Sequence, residues 1–173
     1  IADNGPAVVS LKVTRKFEGS TFEQTISLCD GGERVDVANV VDWFQRKSNL
    51  RAAFPLTVSN PNAVFDLGLG AIESGNTDSF PYYQHCTHQW ADLTAEDGSY
   101  GVSIMNDCKY GMSAEGSDMR LTLHKGGTRP DPFTDTGIQT MKYSLLPHIG
   151  AFDAETVIKP TYEFNYAPVM VEG

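Results

Sequence analysis

The sequence has 173 residues, 40% of them hydrophobic and 20% charged, with 13 Lys and Arg against 22 Asp and Glu, a net charge of −9. That balance excludes nucleic acid as the main partner, because neutralising phosphates takes clustered Lys and Arg, and no apolar run of about 18 residues offers a membrane-spanning helix. The length suits one domain, or at most two small ones, with enough chain to build a core without a disulfide or metal scaffold.

Along the chain, Val9, Leu11, Val13, Arg15 and Phe17 share one face of an extended segment, and Ser10, Lys12, Thr14 and Lys16 share the other. A period of two is the signature of a half-buried strand. Gly19-Ser20 breaks the run and Phe22, Ile26 and Leu28 resume it, which predicts a hairpin. Asp30-Gly31-Gly32 is the next turn, since Asp and Gly tolerate tight-loop backbone angles. Val35, Val37, Val41 and Trp43 form a third alternating face, and Leu50, Ala52, Phe54, Leu56 and Val58 a fourth. Pro55 cannot donate to a ladder, so it places that strand at a sheet edge or at a bulge.

Asn60-Pro61-Asn62 reads as a turn, Ala63 to Leu69 as a short strand, and Gly75 to Ser79 as a polar surface loop. Gln89 to Leu93, Tyr100 to Met105, Met119 to His124, Ile138 to Leu146 and Thr161 to Tyr166 are further strands, with a long loop from Gly126 to Gly137. Helical spacing of apolar residues is absent. Val37 to Lys47 is the one stretch where a helix could hide, and its Val-rich alternation favours a strand. Roughly ten or more short strands with regular turn signals predict an all-β sandwich or barrel. No linker interrupts them, so the chain reads as one domain.

Cys29, Cys86 and Cys108 are widely spaced, with no CxxC pair and no Asn-x-Ser/Thr acceptor. They read as buried thiols of a reducing, cytoplasmic setting. A start at Ile1 rather than Met suggests a fragment or a processed chain. His85 and His88 flank Cys86 but lack the spacing and companions of a metal site. His124 and His148 read as structural or exposed. Cys108, between Asp107 and Lys109, is not a nucleophile on this reading. Asp92, Asp107, Asp131 and Asp135 could converge as glycosidase carboxylates, but turn architecture explains them as well. Asp131, between two prolines, is expected in an extended segment. Gly68 and Gly70 do not make a dinucleotide fingerprint, and the DGG and KGG pieces lack a phosphate loop's remainder. Tyr82, Tyr83, Trp90, Tyr100 and Tyr110 lie near polar loops, as packing residues or as ring platforms for a sugar.

Several motifs go further in combination. They are Trp90-Ala91-Asp92-Leu93, Tyr100-Gly101-Val102, Asn106-Asp107-Cys108-Lys109-Tyr110-Gly111, and Arg129-Pro130-Asp131-Pro132 followed by Asp135-Thr136-Gly137. Tyr143 to His148 follows, and Asn4-Gly5-Pro6, Val41-Asp42-Trp43 and Ala53-Phe54-Pro55 lie upstream. In this order, over Asn4 to Gly150, they resemble the carboxy-terminal β-sandwich region of family-38 glycoside hydrolases, the α-mannosidases.

The resemblance implies a large antiparallel β-sandwich of the galactose-mutarotase-like (supersandwich) kind, a single domain over 1–173. It implies a parent enzyme that removes terminal α-linked mannose with retention, through a covalent glycosyl-enzyme. The family's nucleophile, acid/base carboxylate and zinc ligands belong to an amino-terminal barrel, and no His-x-Asp metal motif occurs here. No catalytic residue, metal ligand or cofactor is therefore expected in this segment, and zinc is implied only for the catalytic domain. The implied partners are the rest of the α-mannosidase and a mannose-containing oligosaccharide, with no nucleic acid and no membrane.

Loops of the family's β region help to shape the sugar cleft. The NDCKYG turn is the candidate here, with Lys109 donating to a mannose hydroxyl, Asp107 accepting from one and Tyr110 as a ring platform. Some distant members carry arginines where Cys108 and Lys109 stand, so this chain departs from them. The other reading of the turn is that its polar side chains bond the backbone. Two further roles are an independent carbohydrate-binding module, stacking sugars on Trp90, Tyr100 or Tyr110, and a mutarotase-like epimerase. The epimerase needs His85 or His124 within reach of Asp107.

Overall fold

A computed structural model describes residues 1–75, 84–166 and 168–171. The alternating segments are strands: β1 (Asp3–Asn4), β2 (Val8–Phe17), β3 (Ser20–Cys29), β4 (Val35–Trp43), β5 (Ser48–Pro55), β6 (Asn62–Asp66), β7 (Ala71–Gly75), β8 (His85–Cys86), β9 (Trp90–Thr94), β10 (Tyr100–Asn106), β11 (Gly111–Glu115), β12 (Asp118–Gly126) and β13 (Gly137–Ile149). Nine form one sheet in the order β1-β2-β3-β4-β13-β10-β9-β6-β7, and four form a second in the order β5-β12-β11-β8. All pairings are antiparallel. The expected all-β antiparallel sandwich is the fold observed.

The main core lies between the sheets. Val37 and Val41, Phe65, Ala91 and Leu93, Ile104 and Met141 face Phe54, Met112, Met119, Leu121 and Leu123. Because the side-chain period is two, each of these strands sends its other residues to the outer face. Pro55 sits on an edge strand of the small sheet among the described residues, in keeping with its missing N–H. A bulge between Thr122 and His124 turns both Leu123 and His124 inward.

The stretch expected as a strand from Thr161 to Tyr166 is helical through Asn165, with Tyr166 its extended cap. Asp153 caps a π-helical turn, Ala154–Ile158, that runs into α1 (Lys159–Asn165). The Asp153 side chain accepts from the N–H groups of Glu155 and Thr156, and the Thr156 hydroxyl accepts from the Asp153 N–H. Val157, Thr161 and Phe164 are the buried positions, spaced four and three apart. A polar Thr in the middle of that stripe hides the helical period from a hydrophobicity reading. The Thr161 hydroxyl is satisfied inside, donating to the Val157 carbonyl at 2.8 Å. This helix covers the outer face of β9, β10 and β13 through a second core of Trp90, Met105, Leu146, Val157 and Phe164.

Three further expectations are corrected. Asp131 is in a turn, accepting from the Phe133 N–H at 2.9 Å, because its side chain can close the loop onto the backbone. Cys29, Cys86 and Cys108 are all free and exposed. They stand at a strand end, on an edge strand and in a turn, outside the core between the sheets. The apolar face of β2 is exposed as well, because the four-stranded sheet does not reach it. Tyr82 and Tyr83, and most of the loop expected from Gly75 to Ser79, lie outside the described residues.

Candidate functional site

The β10–β11 turn is built on Asn106, which is fully buried. Its Oδ1 accepts from the Lys109 N–H at 2.7 Å, and its Nδ2 donates to the His88 carbonyl at 3.3 Å. These bonds close the turn and set it beside the loop before β9. Asp107 points the other way. Its N–H donates to the Lys142 carbonyl at 3.2 Å, and its Oδ1 accepts from the Lys142 N–H at 3.1 Å. It thus extends the β10–β13 ladder past its last registered pair. Tyr110 is 52% exposed and stacks on His88, with ring centroids 6.0 Å apart and planes 10° from parallel. Asp66 Oδ2 lies 3.7 Å from His88 Nδ1.

Lys109 and Tyr110 line an open cleft of about 390 Å³ that also contains His124, Lys125, Asp135 and Gln139. The three residues expected to act together therefore divide. Two share the cleft, while Asp107 is not among its lining residues. The cleft joins two side-chain cations, one carboxylate and an aromatic ring, a set suited to bonding hydroxyl groups and covering an apolar ring face. His124 stands at its floor with Nε2 buried and without a hydrogen-bond partner among the described residues. Burial holds this histidine below the ordinary histidine range, with small opposed effects from Asp135 and Lys109. The Asp135 and His124 contribution came from the long loop and from the β12 bulge, neither of which side-chain alternation could place.

The Cys108 thiol is pushed up to about 11 by burial, by its hydrogen bond to Asp107 and by that carboxylate's charge, with Lys109 opposing weakly. At neutral pH it is a thiol, not a nucleophile. Trp90 cannot serve as a sugar platform, because it is buried with its ring 4.7 Å from Phe152. Tyr100 is partly exposed, with its hydroxyl donating to the Thr57 carbonyl.

No three His, Cys, Asp or Glu side chains converge on a metal-sized site among the described residues. His85 packs its ring 4.4 Å from Phe65, and burial lowers its pKa. The donors present do not fit zinc.

One cluster was missed from sequence. Asp92 is fully buried on the outer face of β9, where its alternation with Trp90 and Thr94 puts it under the helix. Its Oδ2 accepts from Ser103 Oγ at 2.5 Å and lies 2.8 Å from His148 Nε2, and its Oδ1 accepts from Thr94 Oγ1 at 2.6 Å. The available signal was a carboxylate inside an otherwise apolar strand run, which must be paired to be buried.

The model of the "Glycosyl hydrolases family 38 C-terminal domain" matches residues 1–133. This chain belongs to that family. It is 37% identical over 138 residues to the alpha-mannosidase of Saccharomyces cerevisiae, covering 77% of this chain and 12% of that protein. It is 32% identical over 174 residues to alpha-mannosidase G of Dictyostelium discoideum, covering 95% of this chain and 16% of that one. The crystal structure of an alpha-mannosidase from Enterococcus faecalis V583 shares the fold at a TM-score of 0.70 and 14% identity, over 84% of this chain and 18% of that one. The family 38 chain described here thus spans less than a fifth of the length of these relatives. None of its helices, among the described residues, is long and apolar enough to cross a membrane.

Proposed function

We propose that this chain is the non-catalytic β-sandwich of a cytoplasmic α-mannosidase that hydrolyses terminal α-linked mannose with retention. On this reading it forms one domain that packs against a zinc-dependent catalytic barrel, and its β10–β11 turn lines the sugar cleft through Lys109 and Tyr110. The observation that carries the reading is the family match over residues 1–133 on a chain that covers 12–16% of its mannosidase relatives. The free thiols agree with a reducing compartment.

The polar groups that remain have structural partners. Asp92 is engaged with His148, Asp107 with the β13 backbone, and Asp131 with its own turn. An epimerase pairing of Asp107 with His85 or His124 has no support, since the three side chains have separate surroundings. The test is hydrolysis of an aryl α-mannoside by the 173-residue chain with and without added zinc, beside the full-length polypeptide. Turnover only by the longer polypeptide is expected. Turnover by the short chain overturns the proposal. Micromolar mannoside binding by the short chain, lost on Tyr110→Ala, would move the assignment to an independent carbohydrate-binding module.

A further inference from the structure

The two sheets are unequal, nine strands against four, and the mismatch falls beside β5. Among the described residues, this strand is an edge of the small sheet with no strand paired on its outer side. It lies over the middle of the large sheet, where the Phe54 ring meets Tyr143 edge-on at 5.5 Å. The opposite edge, β8, lies over β6, where His85 meets Phe65. β2 and β3 therefore project beyond β5. Burial fades in the same direction. Val37 and Val41 of β4 are buried and Phe22 and Ile26 of β3 are partly buried. Val9, Leu11 and Phe17 of β2, with Leu28 of β3, are between 48% and 60% exposed. Register pairs Val9 with Leu28, Leu11 with Ile26, and Ile26 with Val37. The bare side chains thus continue the face that forms the core.

The edge and the bare face are also held together. The Phe44 N–H, in the β4–β5 turn, donates to Ser20 Oγ at 2.9 Å, and Gln45 Nε2 donates to the Glu18 carbonyl at 2.6 Å. An apolar face in line with a core, beyond an open strand edge, is a template for further strands.

We propose that extended segments of the same enzyme's polypeptide, from outside these 173 residues, continue the small sheet outward, the first strand adding to the edge of β5 and the strands after it covering Val9, Leu11, Phe17 and Leu28, since β2 lies three strand spacings from β13 and one added strand advances the sheet by a single spacing. This rests on the reading of the chain as one part of an α-mannosidase. The relatives have the length to supply these strands, since this chain covers only 12% and 16% of them. The edge itself limits where the first one bonds. The Leu56 N–H donates to Ser117 on the β12 side, so antiparallel alternation turns the Ala53 N–H outward. Pro55 falls on the same outward phase and has no N–H to offer. The incoming strand bonds beside Ala53 and loses its ladder at Pro55. Its apolar side chains recur at every second residue, because only those face the large sheet.

Hydrogen exchange on the 173-residue chain and on the full-length polypeptide tests this. The Ala53 amide is expected to exchange at least about tenfold more slowly in the longer polypeptide, with shielding of the Val8–Phe17 segment alongside it. Equal Ala53 exchange in the two overturns the proposal. So does a 173-residue chain that sediments as a dimer and turns monomeric on Leu11→Arg, because a second copy would then be the occupant. Aryl α-mannosidase activity of the same longer polypeptide separates the two readings. An active enzyme with unshielded Ala53 sinks the added strand alone. An inactive polypeptide with shielded Ala53 sinks the proposed function and keeps the strand.

Discussion

His148 and Asp92 meet across Gly101, with Nε2 2.8 Å from Oδ2 and both side chains almost wholly buried, at 5% and 0% exposure. Gly101 is registered opposite His148 on one side and Thr94 on the other, so its missing side chain is the space the imidazole fills. Asp92 raises His148 above the ordinary histidine range through their hydrogen bond, against the opposing effect of burial; Asp92's charge, the Gly150 backbone and Asp153 add to the rise. A raised folded value makes this contribution complete below the unfolded value of about 6.5 and removes it as pH rises through the folded one. The thermal midpoint is therefore expected to fall on that alkaline limb. His148→Gln should flatten it, as followed by calorimetry from about pH 5 to 9. An unchanged slope in the variant would assign the limb to another group.

The acid limb has the opposite cause. Burial lowers both His124 and His85, so each stabilises the fold when neutral, and that stability is lost as pH falls below about 6.5 toward the lowered values. His124→Phe keeps a ring beside Trp43, 5.4 Å away at present, and removes the charge. It is expected to make the midpoint less sensitive to acid, with the His85 share left in place. A steeper acid limb would contradict the burial argument.

Gly101→Ala would bring a methyl group to 2.6 Å from the His148 ring and 2.7 Å from Thr94 Oγ1. With the ring held by Asp92, relief requires moving a buried pair, and a cost of about 1–3 kcal/mol is expected. Gly70→Ala meets nothing within 4 Å and serves as the control. Chemical denaturation of the two variants measures the difference, and equal midpoints would show that His148 yields freely.

The strands and most turns were legible because each depends on local chemistry. Alternation at Val35, Val37, Val41 and Trp43 needs no partner to be recognised, and Asp30-Gly31-Gly32 announces its own turn. The edge position of β5 followed from one missing N–H at Pro55. What failed depended on a second layer. The face of β2 is apolar in sequence whether or not a sheet covers it, so exposure of Leu11 could not be read. Helix α1 was hidden by Thr161, whose hydroxyl bonds within the helix. Of the candidate cleft, Lys109 and Tyr110 were singled out through a motif, while the residues that share the cleft with them were not. His124 reaches it through a bulge and Asp135 through a loop, and neither displacement has a period. Asp92 was visible as a residue, while its partner lies 56 positions away on another strand.

Phe164 ties the helix to the sheet. It is buried, and Lys142 Nζ lies 4.6 Å and the Arg34 guanidinium 5.6 Å from its ring centroid. Phe164→Ala removes both cation contacts and opens the second core, at a cost of about 3–5 kcal/mol. Hydrogen exchange should then show the 154–165 segment opening ahead of β9 and β10. Loss confined to global unfolding would mean the helix is not a separable unit.

Cys108 is exposed yet pushed up to about 11, by burial first and by Asp107 second. At pH 8 only about one thiol in a thousand is then ionised, which slows alkylation. Asp107→Asn removes the nearby charge, and iodoacetamide labelling of Cys108 followed by mass spectrometry is expected to accelerate several-fold. No acceleration would leave burial as the whole cause.

The division between Lys109 and Asp107 gives the sugar-cleft proposal its sharpest kinetic form. Lys109 is in the cleft and Asp107 is spent on the β13 backbone. In the full-length polypeptide, Lys109→Ala should remove a charge-assisted hydrogen bond to a sugar hydroxyl, worth about 1.5–3 kcal/mol, and raise KM roughly tenfold to a hundredfold with kcat little changed. Asp107→Ala should lower the thermal midpoint and leave KM in place, because what it loses is the bond to the Lys142 N–H. Steady-state kinetics on an aryl α-mannoside, read beside calorimetry, distinguishes the two. If both substitutions move only stability, the turn is architectural and the cleft holds no sugar; if Asp107→Ala moves KM as well, the carboxylate must turn away from β13 when substrate arrives.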